Sequence, residues 1–421
     1  MTAAQGRARA SRHRGMGLVV GTLMITAATM FVGGGAGGAA TGPSSPQLVT
    51  ITIPAPAGEV PPQWLNYPGP PRADVLLPAG YNPNTRYPLL VLLHGLDGNY
   101  DLFAQYGLVN DFANLDAIVV MPEGGPGGWF ADWWNNGERG GPAWETYELD
   151  TVIPTIMARY PILSGRQYHA IAGVSMGGLG ATYLGGRLPG FFGSVASLSG
   201  FVDPQLAAPV LQPAMAFESE ATTHGDNDFD PIYGPPTGFY ADGHDPTRLA
   251  MNLQQTRVFE STGTTVPNPG NLGLLADKSP GIEELVNGTW EEGIIFPMNV
   301  IYHHALTAAG VDVTYQVHSG GHDIPDFTNE IHAMLQWGLF KPVTTDPSTW
   351  TNDTVATSGQ LWDIGYRFVQ PPSRVVQFRR VGSSLSISAA GSSVTLTTSG
   401  GCVIQTATPA TVTVPNGSSC P

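Results

Sequence analysis

Short, unbroken apolar runs dominate the first two thirds of the chain. Tyr87 to Leu93, Asp116 to Met121 and Tyr168 up to Ser175 have the length expected of strands buried on both faces. Ser194 to Leu198, Thr256 to Glu260 and Val311 to His318 continue the series, Leu48 to Ile53 alternates apolar residues with threonine, and Asp74 to Leu77 adds a short strand. Between these runs, Tyr147 to Tyr160 (despite Pro154), Gly178 to Gly186 and Phe296 to Ala309 have helical spacing. Strands that alternate with helices predict an α/β fold over 41–345, with a mostly parallel central sheet covered on both faces.

The pattern changes beyond Leu339. Residues 346–357 are rich in Thr, Ser, Asp and Pro and read as a linker. Trp362 to Val369, Val375 to Phe378, Leu385 to Ile387, Val394 to Thr397 and Thr411 to Val414 are strand-like and separated by Gly, Ser and Pro, which predicts a small all-β accessory domain over 358–421. At the other end, Arg7, Arg9, Arg12 and Arg14 precede an apolar stretch from Met16 to Val32 and small residues through Ala40. Residues 1–40 therefore read as a signal peptide, with an uncleaved anchor as the alternative, and the chain is expected to be secreted or associated with the cell envelope.

Composition narrows the partners. The chain carries 33 acidic against 18 basic residues, a formal net charge of −15, which disfavours nucleic acid. Cys402 and Cys420 are the only cysteines; in an exported chain they read as one disulfide. Two cysteines cannot make a four-ligand zinc site, and no other spacing suggests a metal or cofactor.

The chemistry centres on Gly173-Val174-Ser175-Met176-Gly177, where an apolar run meets a glycine-rich segment. A serine on a sharp strand-to-helix turn exposes its hydroxyl above the sheet, and the N–H of Met176 is then placed to donate to an oxyanion. A neutral hydroxyl needs a base. His322, in Ser319-Gly320-Gly321-His322-Asp323 just past a predicted strand, is the candidate; His318 reads as a strand residue, and His303 and His304 as helix residues. Among the aromatic residues before the serine, Trp133 and Trp144 read as packing, whereas Trp129 and Phe130 are candidates to line a lipid or sugar cleft.

An ordered set of segments resembles the mycolyltransferase (antigen 85) branch of the putative-esterase family of α/β-hydrolases. It comprises Leu92-Leu93-His94-Gly95-Leu96, Met121-Pro122-Glu123-Gly124-Gly125, Asp132-Trp133, Trp144-Glu145-Thr146, the Ser175 turn, Tyr233-Gly234-Pro235-Pro236, Asp245-Pro246-Thr247 and Glu292-Gly293 followed by Asn299. The resemblance implies an α/β-hydrolase sandwich. It also implies Glu292 as the acid that orients His322, and backbone N–H groups of Leu96 and Met176 as oxyanion donors. Glu291, beside it, and Glu260, near the end of a predicted strand, are the alternative acids. The implied reaction passes an acyl group from an ester or glycolipid donor through Ser175 to a sugar hydroxyl or to water. Two departures stand out: His94 occupies the position where these transferases commonly carry an aspartate that helps position sugar, and Asp97-Gly98-Asn99-Tyr100 lacks the expected positive residue. A carboxylic-ester hydrolase and a noncatalytic envelope-binding protein are the alternatives, the latter with the β domain on cell-envelope polysaccharide.

Overall fold

The computed structural model describes residues 44–206, 232–266 and 281–415. The expected signal peptide and Cys420 lie outside them. Cys402 is buried at the turn between two strands, and its N–H donates to Thr398 Oγ1.

Eight strands form the central sheet: β1 (Gln47–Thr52), β2 (Arg72–Leu77), β3 (Leu89–Leu93), β4 (Ile118–Pro122), β7 (His169–Val174), β8 (Ser194–Leu198), β9 (Arg257–Gly263) and β10 (Asp312–His318), with the short hairpin strands β5 (Asp132–Trp133) and β6 (Gly140–Ala143) outside it. Their order is β1-β2-β4-β3-β7-β8-β9-β10; β1, β2 and β4 pair antiparallel, and every other neighbour pairs parallel. The unbroken apolar runs have a direct cause. Leu89, Val91 and Leu93 enter a cluster on one face with Ile171, Val195, Leu179 and Tyr302, while Leu90 and Leu92 enter the opposite cluster with Ala172, Leu198, Phe259 and Ile331. Each strand thus needs apolar residues at both parities.

Four helices matter for the site: α1 (Ile153–Arg159), α2 (Met176–Arg187), α3 (Gly281–Ala308) and α4 (Ile324–Trp337). Pro154 sits where a π-helical turn (Tyr147–Val152) passes into α1, a point at which the regular i→i−4 ladder is already interrupted. Among the described residues no helix is long and apolar enough to cross a membrane.

The C-terminal region forms two four-stranded antiparallel sheets, β11-β14-β15-β18 and β12-β13-β16-β17, enclosing a core that includes Trp350, Tyr366, Phe378 and Leu396. The strands are β11 (Thr349–Thr354), β12 (Ser358–Leu361), β13 (Ile364–Phe368), β14 (Val376–Val381), β15 (Ser384–Ile387), β16 (Val394–Thr398), β17 (Val403–Thr406) and β18 (Ala410–Thr413). The expected linker 346–357 is corrected here: Thr349–Thr354 pairs with Val376–Val381 as an integral strand. Its inward residues are Trp350, Asn352 and Thr354, so composition disguised its alternation. Asn352 Nδ2 donates to Gly186 O at 2.9 Å, and Asn252 Nδ2 donates to Asp353 O at 2.8 Å, tying β11 to the α/β body. Arg187, at the end of α2, donates to Tyr366 Oη and Ser358 O across the same seam. A cavity of about 730 Å³ opens there, lined by Asp132, Arg139, Asp150, Gln360 and Arg367 among others. It sits at the far end of α2 from Ser175, about 18 Å away along the helix.

Candidate active site

Ser175 occupies a tight turn that only its flanking glycines permit. Its φ is 55° and ψ −119°, between β7 and the first residue of α2. A side chain on Gly173 would lie 2.1 Å from Gly177 O, and one on Gly177 would lie 2.2 Å from Leu93 O. The turn is pinned by hydrogen bonds: Ser175 N donates to Leu198 O at 2.9 Å, and Ser175 O accepts from Gly178, Leu179 and Phe201. A non-glycine residue held at positive φ is costly and is retained where surrounding contacts over-determine it.

The loop after β3 runs against this serine; a side chain on Gly95 would lie 3.5 Å from Ser175 Cβ. Leu96 follows. Among the described residues neither its N–H nor that of Met176 meets an acceptor, and Met176, as first residue of a helix, has no intrahelical partner to offer it.

His94 sets the course of that loop. It is 1% exposed, and its Nε2 accepts from Gly124 N at 3.0 Å, so Nδ1 carries the hydrogen and donates to Gly95 O at 2.8 Å. Burial pushes its pKa down to about 4, which keeps it neutral. The expectation that His94 contacts substrate is therefore corrected: it ties the loop after β3 to the loop after β4.

Trp129 and Phe130 are corrected likewise. Both have positive φ, 57° and 51°, and both rings turn inward, 3% and 0% exposed. Phe130 lies where side chains on Gly124 and Gly180 would otherwise be, and packs against His94. Trp129 meets Phe201 edge to face at 5.3 Å, with its indole N–H buried and unpaired among the described residues. Trp133 and Trp144 are buried in the same region.

His322 sits in the loop before α4, held by its N–H to Gly288 O at 2.9 Å and by edge-to-face packing on Phe327. Its Nδ1 lies 2.9 Å from Glu292 Oε2. Glu292, on α3, is fully buried, and its other oxygen accepts from Thr262 Oγ1 at 2.6 Å, Gly263 N at 2.7 Å and Ser199 Oγ at 3.0 Å. Burial alone would lower the His322 pKa, but the hydrogen bond and charge of Glu292, helped by Glu291 and Glu330, leave it raised. Among the described residues Nε2 makes no hydrogen bond.

The alternative acids are not so placed. Glu260 lies inside β9, fully buried, with His303 Nδ1 3.6 Å away and no hydrogen bond to either oxygen among the described residues. Burial pushes its pKa well above the ordinary carboxylate value. Its position along β9 faces α3 rather than the sheet edge, which removes it as the partner of His322. Glu291 is half-buried, its pKa raised by that burial and opposed by His322, and Glu292 rather than Glu291 holds Nδ1.

Ser175, Ser199 and Thr262-Gly263 thus mark the C-terminal ends of three adjacent parallel strands, where open α/β sheets place their ligands. Ser199, Thr262 and Gly263 escaped the sequence reading; their signal was small and polar residues just past predicted strands. Among the described residues no group of three or more His, Cys, Asp or Glu is placed to hold a metal ion.

Residues 67–265 match the family described as Putative esterase. The esterase Rv1288 of Mycobacterium tuberculosis is 30% identical over 208 residues, 48% of this chain and 44% of that protein, so the match spans less than half of that relative. The diacylglycerol acyltransferase/mycolyltransferase Ag85A of Mycobacterium leprae is 26% identical over 245 residues, 56% of this chain and 72% of that protein. Among solved structures, MPT51 (FbpC1) of Mycobacterium tuberculosis aligns with a TM-score of 0.53 at 18% identity, over 70% of this chain and 99% of that chain. FphF of Staphylococcus aureus, a fluorophosphonate-binding serine hydrolase, aligns with a TM-score of 0.51 at 17% identity, over 72% and 100%. These two show the shared fold. The chain is thus similar to the Putative esterase family through residues 67–265, and its relatives include an esterase and an antigen 85 mycolyltransferase.

Proposed function

We propose that the protein is a secreted or envelope-associated serine acyltransferase that works through a covalent acyl-enzyme. The observation that carries this reading is the strained Ser175 turn at the sheet edge where Ser199, one residue past the Leu198 carbonyl that holds Ser175 N–H, binds Glu292 of a Glu292–His322 pair whose Nε2 makes no hydrogen bond among the described residues. Ser175 Oγ attacks the ester carbonyl carbon as His322 Nε2 takes its proton. Glu292 holds Nδ1–H, which fixes the useful tautomer and stabilises the imidazolium. The N–H groups of Leu96 and Met176 receive the negative charge on the carbonyl oxygen. The C–O bond to the leaving alcohol breaks, the alcohol takes the proton from Nε2, and the acyl group stays on Ser175. An acceptor hydroxyl then repeats the sequence in reverse, its proton passing to His322. No cofactor enters.

A sugar acceptor gives transfer and water gives hydrolysis, and a carboxylic-ester hydrolase is the second reading. His94 favours it, because that side chain is buried in loop architecture and contributes nothing to sugar recognition. The β sandwich is assigned a stabilising role, since Asn352, Asp353 and Tyr366 lock it to the α/β body. Labelled trehalose supplied with an acyl-trehalose donor separates the readings: labelled acyl-trehalose supports transfer, whereas free fatty acid alone at high acceptor concentration establishes hydrolysis.

A further inference from the structure

Behind the Glu292–His322 pair lies a second carboxylate–imidazole pair. Glu330, on α4, is 1% exposed, and its Oε1 lies 2.9 Å from His318 Nε2, at the end of β10. His318 Nδ1 faces Ser319 O at 3.0 Å; a carbonyl only accepts, so Nδ1 carries a hydrogen. A bare Nε2 lone pair against a carboxylate oxygen at hydrogen-bond distance would repel, so a second proton lies between them. Wherever that proton resides, the Glu330–His318 pair is neutral overall. Glu330 raises the His318 pKa to about 9 against the opposing effect of burial, while burial raises that of Glu330.

The two pairs meet at one atom. Ser199 Oγ lies 3.0 Å from Glu292 Oε1 and 3.0 Å from Glu330 Oε1. Its backbone is fixed there at φ 43°, with its N–H on Ser261 O. A hydroxyl has one proton to donate, and two carboxylates face it. While His322 is neutral, Glu292 is the uncompensated anion and draws the Ser199 hydrogen. Once His322 is protonated, both pairs are neutral and that preference weakens.

We propose that Glu330 is a positioning residue: compensated by His318, it lets Ser199 commit its hydrogen to Glu292, and so couples the protonation of His322 to a second buried pair. This deepens the acyl-transfer reading and rests on it for its consequence in catalysis. The charged groups facing this cluster are Glu292 and Glu291 from α3, Asp326 from the first turn of α4, and the two imidazoles.

The sign of each perturbation follows. Glu330→Gln removes the carboxylate that faces Ser199 and acts on His322, so the side of the pair turned toward His322 loses its negative charge and the His322 pKa falls. His318→Gln keeps an N–H donor for Glu330 but removes the compensating charge, so the His322 pKa rises. A shift of about half a unit in each direction is the scale expected for a partly compensated buried charge nearby.

The direct test is an NMR pH titration of the His322 imidazole in the intact protein without substrate, its signal assigned by loss in His322→Asn, with melting curves confirming that each variant is folded. A downward shift in Glu330→Gln together with an upward shift in His318→Gln supports the coupling. No shift in either variant, or shifts of the same sign, overturns it, because a purely structural role would change melting temperature without separating the signs. Ester kinetics add the consequence: Glu330→Gln is expected to lower kcat several-fold at unchanged KM. If the wild-type protein forms no acyl adduct, the acyl-transfer reading fails while the titration still decides the coupling.

Discussion

Replacing Glu292 by Gln changes no shape and yet should nearly abolish turnover. The carboxylate receives four donors: Ser199 Oγ, Thr262 Oγ1 and Gly263 N on one oxygen, and His322 Nδ1 on the other. A glutamine has a single carbonyl oxygen and an NH₂ group. If its oxygen keeps the three donors, its NH₂ faces His322 Nδ1 and forces the hydrogen onto Nε2, the nitrogen that must accept the Ser175 proton. If it flips, NH₂ confronts three donors at once in a buried site, which costs more. The first arrangement wins, and it leaves the wrong tautomer. Wrong-tautomer substitutions of this kind lower kcat by about 10³–10⁴-fold, equivalent to about 4–5.5 kcal/mol of transition-state stabilisation. The assay is steady-state hydrolysis of an activated aryl ester by wild type, Glu292→Gln and Glu260→Gln. Glu260 touches His303 and should leave the rate within a few-fold of wild type. A Glu292→Gln enzyme within tenfold of wild type, or a Glu260→Gln enzyme equally impaired, would refute the assignment of the acid.

Four further outcomes are expected. The kcat/KM for the same ester should rise with pH through a His322 pKa above its ordinary 6.5, since only the neutral imidazole accepts a proton; a limb below 6.5 would contradict the influence of Glu292. His318, with its pKa raised to about 9, contributes stability that is fully present below about pH 6.5 and is lost as pH rises through about 9; melting temperature should fall across that window, and less so in His318→Gln. His94 behaves oppositely: its pKa lowered to about 4 means that stability present above pH 6.5 is lost as pH falls toward 4, by about 3 kcal/mol at most, and urea melts at pH 4.5 and 7 should show this acid sensitivity reduced in His94→Gln. Truncation after residue 345 removes the partners of Arg187, Gly186 and Asn252, so the shortened protein should melt lower or aggregate; equal stability with lost binding to cell-envelope polysaccharide would instead identify an attachment domain.

The sequence was most legible where burial on both faces leaves one solution. Ser194 to Leu198 coincides with its strand, and the buried runs before His94 and Ser175 end within two residues of the observed strands. The Ser175 turn was readable because only glycine fits at 173 and 177. Trp129, Phe130 and His94 were misread for one shared reason: their residue types suit a cleft, but a pair of left-handed backbone angles and three nearby glycines turn them inward, and composition carries no sign of that direction. β11 was hidden because its buried face is Trp, Asn and Thr, whose polar groups find partners on the α/β body. Glu292 came from the resemblance, because nothing in local pattern reveals that a helix residue will reach the end of β9. Ser199 and Glu330 were invisible for the same reason, as residues 131 positions apart meet only through the order of β8, β9 and α4.

The most direct test of the central claim is to treat the protein with an activated acyl ester, quench it rapidly, and locate the adduct by intact-mass measurement and peptide mapping. One acyl group per chain on the peptide containing Ser175, absent in Ser175→Ala and slowed by about 10³-fold or more in Glu292→Gln, is the expected result. An adduct of unchanged yield in Ser175→Ala, or one mapped to another residue, would contradict it.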